Sequence, residues 1–174
     1  MTKRLVQLLK ASLALVAGLL LNTASNAENQ PTAGLDFELS DGRDFVRLAN
    51  LPPRLTVLNF WRADCPPCLR EMPLLAGLAR NEKARVIAVA LQRPGETLAA
   101  PAGVLAALKP PVISLSGPGE PRGLLARFAN PHGALPHTVL LDARRQICAQ
   151  RTGEIDEAWL RAALNRCAAI EGQP

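Results

Sequence analysis

Apolar positions in this chain gather into runs of strand or helix length, separated by polar stretches rich in turn formers, and their spacing predicts an order of elements. Phe37 and Leu39 alternate with polar neighbours before Asp41-Gly42, and Phe45, Val46 and Leu48 follow, which predicts a β-hairpin turning at "SDGRD". The run "LTVLNFW" (55–61) is almost continuously apolar, the pattern of a strand covered on both faces, although periodicity alone does not separate it from a buried helix segment. A helix is predicted over 66–80, with Pro66 suited to the first helical position, and a second central strand over 84–92. Strand, helix and strand of these lengths imply a right-handed parallel crossover.

Between residues 93 and 120 the composition shifts toward Pro, Gly and Ala. The pattern there predicts a helix over 97–108 and a short strand over 112–115, followed by a helix over 121–130. Residues 137–143 and 146–152 read as a hairpin turning at "DARRQ". The last helix is expected to begin at an Asp156 cap and stop near Gly172, with Leu160, Ala163, Leu164 and Cys167 on one sheet-facing side. No internal repeat is visible.

The N-terminus reads as an address. Lys3, Arg4 and Lys10 precede an unbroken apolar run over 11–21, and small residues follow at Ser25 and Ala27. That is the layout of a secretory signal (1–27) cleaved after Ala27, and the run is short for a span, which takes about 20 apolar residues. An uncleaved membrane anchor is the alternative. Residues 28–34 form a polar linker, leaving one domain over 35–174. Removing the signal takes away three basic residues and no acid, so 17 Lys and Arg face 15 Asp and Glu. No basic face interleaved with aromatics remains, which argues against nucleic acid. The expected location is the periplasm, an oxidising place where cysteines form disulfides.

Cys65 and Cys68 form a CxxC pair at the predicted start of the first helix. Unsatisfied N–H groups and the helix dipole favour a thiolate at Cys65, while Cys68 lies one turn deeper on the same face. Such thiols have pKa values of about 3.5 to 7.5, against about 8.5 for a free one. Cys65 is then suited to attack a partner disulfide and Cys68 to resolve the mixed disulfide. A structural zinc site needs four ligands, and Cys148, Cys167, His132 and His137 show no ligand spacing that would complete one. An inert bridge closing so small a loop gains little entropy. Metal handling and inert bridging therefore stay behind redox exchange.

The segment "VLNFWRADCPPCLREMP", with "ALPHTVLLD" and "RTGEI" downstream, resembles the exported thioredoxin-like disulfide reductases of the TlpA/ResA type, from about Phe37 to Leu164. The resemblance implies an α/β thioredoxin fold: a central mixed sheet flanked by helices, with an N-terminal β-hairpin and an insertion after the second core strand. It implies that Pro136 is cis and packs beside the CxxC, where the neighbouring backbone at Leu135 can pair with an extended substrate. Trp61 matches an aromatic beneath the active site, and Pro73 a helix-kinking proline. Glu71 occupies the position of an acid found in cytochrome c maturation members. One turn from Cys68, it is read either as a desolvated proton carrier or as a solvated carboxylate near Arg70. Where the general thioredoxin pattern has a buried acid, this chain has Asn59, leaving Glu71 as the nearest substitute.

Two departures from the family pattern stand out. Asp64 replaces a Trp before the first cysteine, and its charge opposes a Cys65 thiolate unless Arg62 offsets it. His137 replaces a Thr after Pro136 and reads as a strand residue without a chemical role, the alternative being an imidazole beside the cysteines that stabilises the thiolate or selects substrates. Cys148 and Cys167 are expected to be two buried thiols, the alternative being a disulfide that pins the last helix. The expected function is reduction of protein disulfides, in cytochrome c maturation or copper-protein assembly, without a dissociable cofactor and fed by a membrane thiol electron donor. The rivals are a periplasmic copper-binding metallochaperone using Cys65, Cys68 and His137, and an oxidant that inserts disulfides.

Overall fold

The computed structural model describes residues 34–171, so the signal segment, all but the end of the 28–34 linker and the stop at Gly172 lie outside the described residues. Seven strands form one mixed sheet among the described residues: β1 (Glu38–Ser40), β2 (Phe45–Arg47), β3 (Thr56–Trp61), β4 (Arg85–Ala90), β5 (Ile113–Ser116), β6 (His137–Leu141) and β7 (Ile147–Thr152). Their spatial order is β2-β1-β5-β4-β3-β6-β7. Among the same described residues five α-helices accompany them: α1 (Pro66–Arg80), α2 (Pro94–Thr97), α3 (Ala102–Ala107), α4 (Arg122–Arg127) and α5 (Glu157–Glu171). This is a thioredoxin-like fold, and β3-α1-β4 is the expected parallel unit, in register from Thr56 opposite Arg85 to Trp61 opposite Ala90.

Every residue of β3 is buried because the strand is covered on both faces. Its side chains alternate between the two. Val57 and Trp61 join Met72, Leu75, Ala76 and Ala79 of α1 and Leu160, Ala163 and Cys167 of α5 in one core. Leu58 and Phe60 join Phe37, Leu39, Leu124, Leu125 and Phe128 in the other. The insertion between residues 93 and 120 supplies α2, α3 and β5, and β5 links the two core strands to the N-terminal hairpin through the Ser40–Ser116 pair.

Three expectations need correction. The helix expected over 97–108 is two short helices, because Pro101 takes an extended conformation (φ −53°, ψ 144°) and disfavours helical backbone at the residue before it. The helix expected over 121–130 stops at Arg127, and Ala129 adopts a left-handed φ of 63°. Cys148 and Cys167 are not free thiols: β7 and the sheet-facing side of α5 bring their Cα atoms to 5.2 Å and the sulfurs are bonded. Elsewhere local chemistry holds. Asp156 caps α5 by accepting the Trp159 N–H at 2.7 Å, and Asp142 closes the β6–β7 turn by accepting from the N–H groups of Arg144 and Gln146.

Candidate active site

The parallel unit leaves α1 starting just beyond the C-terminal end of β3, and the first helical turn carries the CxxC pair. Cys65 is the N-cap, in extended conformation, and its Sγ accepts the Cys68 N–H at 3.3 Å. Pro66 and Pro67 have no N–H, so two of the donors a helix start normally offers are missing, and that of Cys68 is the one aimed at the sulfur. Cys65 and Cys68 are joined in a disulfide with Cα atoms 5.3 Å apart. Cys65 is half-buried and reaches solvent, whereas Cys68 has no exposed surface. A visiting thiolate therefore has access on the side of Cys65 and not on that of Cys68.

The carboxylate before the nucleophile position does not stand alone. Arg62 grips Asp64 with Nε at 2.8 Å and Nη2 at 3.1 Å, and donates from Nη1 to the Leu91 carbonyl. The guanidinium hydrogen bond holds the Asp64 carboxyl below its ordinary value. The carboxylate next to Cys65 is thus paired with a guanidinium. On the insertion side of this loop lies a hollow of about 300 Å³ lined by Arg62, Ala63, Asp64, Gln92, Glu96 and Ala99. Gln92 ties the insertion to the loop: its Oε1 accepts the Ala63 N–H and its Nε2 donates to Thr97 Oγ1.

Glu71 follows Cys68 by one turn of α1 and points into the core, 2 % exposed. The solvated alternative does not hold, because Arg70 pairs instead with Glu154, Nη2 to Oε2 at 2.5 Å. Glu71 Oε1 accepts from Asn59 Nδ2 at 2.6 Å and Oε2 from the Ile155 N–H at 3.1 Å. Burial pushes its pKa up from 4.5 to about 7, with the two hydrogen bonds pulling the other way. Asn59 also donates to Thr138 Oγ1 at 3.0 Å. The sequence linked Asn59 and Glu71 as vacated place and substitute for a buried acid, but not their hydrogen bond, and gave no sign of Thr138 or Ile155. An Asn in an otherwise apolar central strand was the available signal.

Trp61 is fully buried in the core that holds Cys68. The Leu135–Pro136 peptide is cis. Pro136 is buried and its carbonyl accepts the Gly153 N–H at 2.8 Å. Leu135 packs against both cores, and its backbone N–H and carbonyl have no hydrogen-bond partner among the described residues. His137 is buried, with Nε2 2.8 Å from the Phe128 carbonyl and Nδ1 2.9 Å from Thr152 Oγ1. Since a carbonyl only accepts, Nε2 carries the proton and Nδ1 of the neutral ring accepts from Thr152. Burial lowers the His137 pKa, and neither nitrogen is free to join the cysteines as a copper ligand.

Similar folds occur in several solved structures. DsbF of Mycobacterium tuberculosis, seen in mixed oxidised and reduced forms, superposes with TM-score 0.63 at 18% identity, covering 80% of this chain and 99% of that one. A secreted disulfide oxidoreductase of the same organism, homologous to E. coli DsbE, gives 0.58 at 18%, covering 74% and 94%. StoA of Bacillus subtilis gives 0.55 at 16%, covering 76% and 98%. No curated protein matches the chain. The AhpC/TSA family model matches residues 32–163, a stretch that holds both cysteines of the CxxC, Glu71 and the cis proline, and the chain belongs to the AhpC/TSA family with a thioredoxin-like fold.

Proposed function

We propose that this protein is an exported thiol-disulfide oxidoreductase working mainly as a reductase of protein disulfides. The observation that carries the reading is the unequal disulfide at the start of α1, with Cys65 open to solvent and Cys68 closed off. In the dithiol form the Cys65 thiolate attacks a partner disulfide; the partner's S–S bond breaks, a mixed disulfide forms and one partner thiolate leaves. Cys68 gives up its proton and attacks Cys65 Sγ, releasing the second partner thiolate and restoring the Cys65–Cys68 bond. Two electrons pass to the partner in all, and its two thiolates take up the proton released by Cys68 and one from solvent, where the Cys65 proton had gone. Glu71, buried one turn away and with a pKa near neutrality, is suited to take the proton from Cys68. The unpaired backbone at Leu135, beside cis-Pro136, suits it to add an extended substrate segment as a short strand.

The chain's basic and apolar N-terminus supports export to the periplasm, and no helix among the described residues is long and apolar enough to cross a membrane. A membrane thiol donor would return the electrons. Haem-binding cysteines of apocytochrome c and copper-assembly proteins are the substrate classes that the sequence resemblance favours. The test is a Cys68→Ser chain expressed in cells: Cys65 should accumulate mixed disulfides with exported proteins, identified by mass spectrometry, and these should vanish when Cys65 is also replaced. Capture of nothing in a folded Cys68→Ser chain would remove the exchange reading.

A further inference from the structure

Asn59 is a buried polar residue to which the exchange steps give no part. It sits on β3, between β4 and β6, with no exposed surface, where its neighbours Leu58 and Phe60 are apolar. Its Nδ2 donates both hydrogens, to Glu71 Oε1 and to Thr138 Oγ1, while its Oδ1 has no hydrogen-bond partner. Burying an amide with an unpaired oxygen is unfavourable, so an apolar residue would serve the core better. The orientation seen is the one that an ionised Glu71 requires. Both carboxylate oxygens then accept, one from Asn59 and one from the Ile155 N–H. Once Oε1 carries a proton it can still accept, but the new O–H needs an acceptor, and Nδ2 is not one. A half-turn of the amide presents Oδ1 instead, which accepts from the Glu71 hydroxyl and from the Thr138 hydroxyl together.

We propose that Asn59 is a positioning residue for the exchange reaction: its amide, held between Thr138 and Glu71, keeps the Glu71 carboxyl at the turn below Cys68 and reverses end for end as that carboxyl gains or loses its proton. The proposal rests on the reading of Glu71 as the proton carrier and adds an acceptor for the proton that Glu71 gains, at the cost of turning the amide N–H groups to the side where Oδ1 now has no partner. An amide is suited to this place because it is donor at one end and acceptor at the other in nearly the same shape. Glu71 also feels Glu154, which raises its pKa, and Arg151, which lowers it. On its own helix the groups nearby are the cysteines, and His137 on β6 is tied to Phe128 and Thr152.

The test follows the Asn59 side-chain amide of the oxidised full chain by 15N–1H spectroscopy, alongside the Glu71 carboxyl by 13C, through the Glu71 midpoint at about 7. The two Nδ2 proton signals should move with one transition sharing the carboxyl midpoint, and that transition should be lost in Glu71→Gln. In Asn59→Asp two carboxyls meet across the short contact and share a proton, so the midpoint should rise by about one unit or more, a tenfold change in ionised fraction. The pH profile of disulfide exchange should move with it, which a purely structural role would not cause. An amide signal that ignores the Glu71 titration overturns the proposal even if Asn59→Asp does not fold. If the amide transition is present while Glu71→Gln exchanges disulfides with an unaltered pH profile, the coupling stands and the proton-carrier reading of Glu71 falls.

Discussion

Glu71 shows how one side chain ties chemistry to stability. Its pKa in the fold, about 7, lies above the ordinary 4.5, so the protonated form favours the folded state. That stabilisation is full below about 4.5 and is lost as pH rises through 7, a cost of roughly 3 kcal/mol above it. Glu71→Gln, which cannot ionise, should therefore match the wild type in stability at low pH and exceed it above neutrality. Chemical denaturation across the pH range checks this. The same variant should resolve mixed disulfides more slowly above pH 7, on the order of a hundredfold, and lose the rise in rate through that pH. Stopped-flow measurement of the second exchange step reads it directly. Equal rates for both proteins would leave the carboxyl a structural part only.

Two features act through whole elements. The start of α1 carries prolines at both of its first positions, so the Cys65 sulfur meets few N–H donors. Strong oxidants owe their potential to a stabilised reduced form, and a helix start with few donors stabilises a thiolate less. The couple should lie nearer about −270 mV than about −120 mV, as measured by equilibration with a thiol buffer. A value at the oxidising end would reverse the proposed direction. The second element-scale feature is the Cys148–Cys167 bond, which fastens α5 to β7 across a separation of 19 residues. Replacing both cysteines with Ala should cost about 2 to 4 kcal/mol in denaturant unfolding. The Ile155 N–H that Glu71 accepts lies just ahead of α5, so the same staple steadies the site from behind.

For the whole molecule, the sheet decides what a partner can touch. Cys68, Glu71 and Asn59 face the core while Cys65 stands at its rim. With the dithiol reduced, a small alkylating agent should modify Cys65 in the native protein and spare Cys68 until denaturant is added, which peptide mass spectrometry checks. The CxxC, the β3-α1-β4 unit and the capped last helix were legible in the chain because each depends on near neighbours: turn formers, caps and the period of apolar residues. Helix ends in the insertion were less legible, since a composition rich in Pro, Gly and Ala carries little periodicity and Pro101 broke what remained.

What the chain determines by itself is local: a dithiol at a helix start, an acid one turn on, and apolar runs that must be covered. Only the folded arrangement could decide that Asn59, Glu71 and Thr138 share one hydrogen-bonded cluster, that Arg70 turns away to Glu154, and that Cys148 meets Cys167. Those pairs lie from 12 to 84 positions apart. Their meeting depends on how the strands order in the sheet and on which face α5 presents to it, and no spacing within one element encodes that.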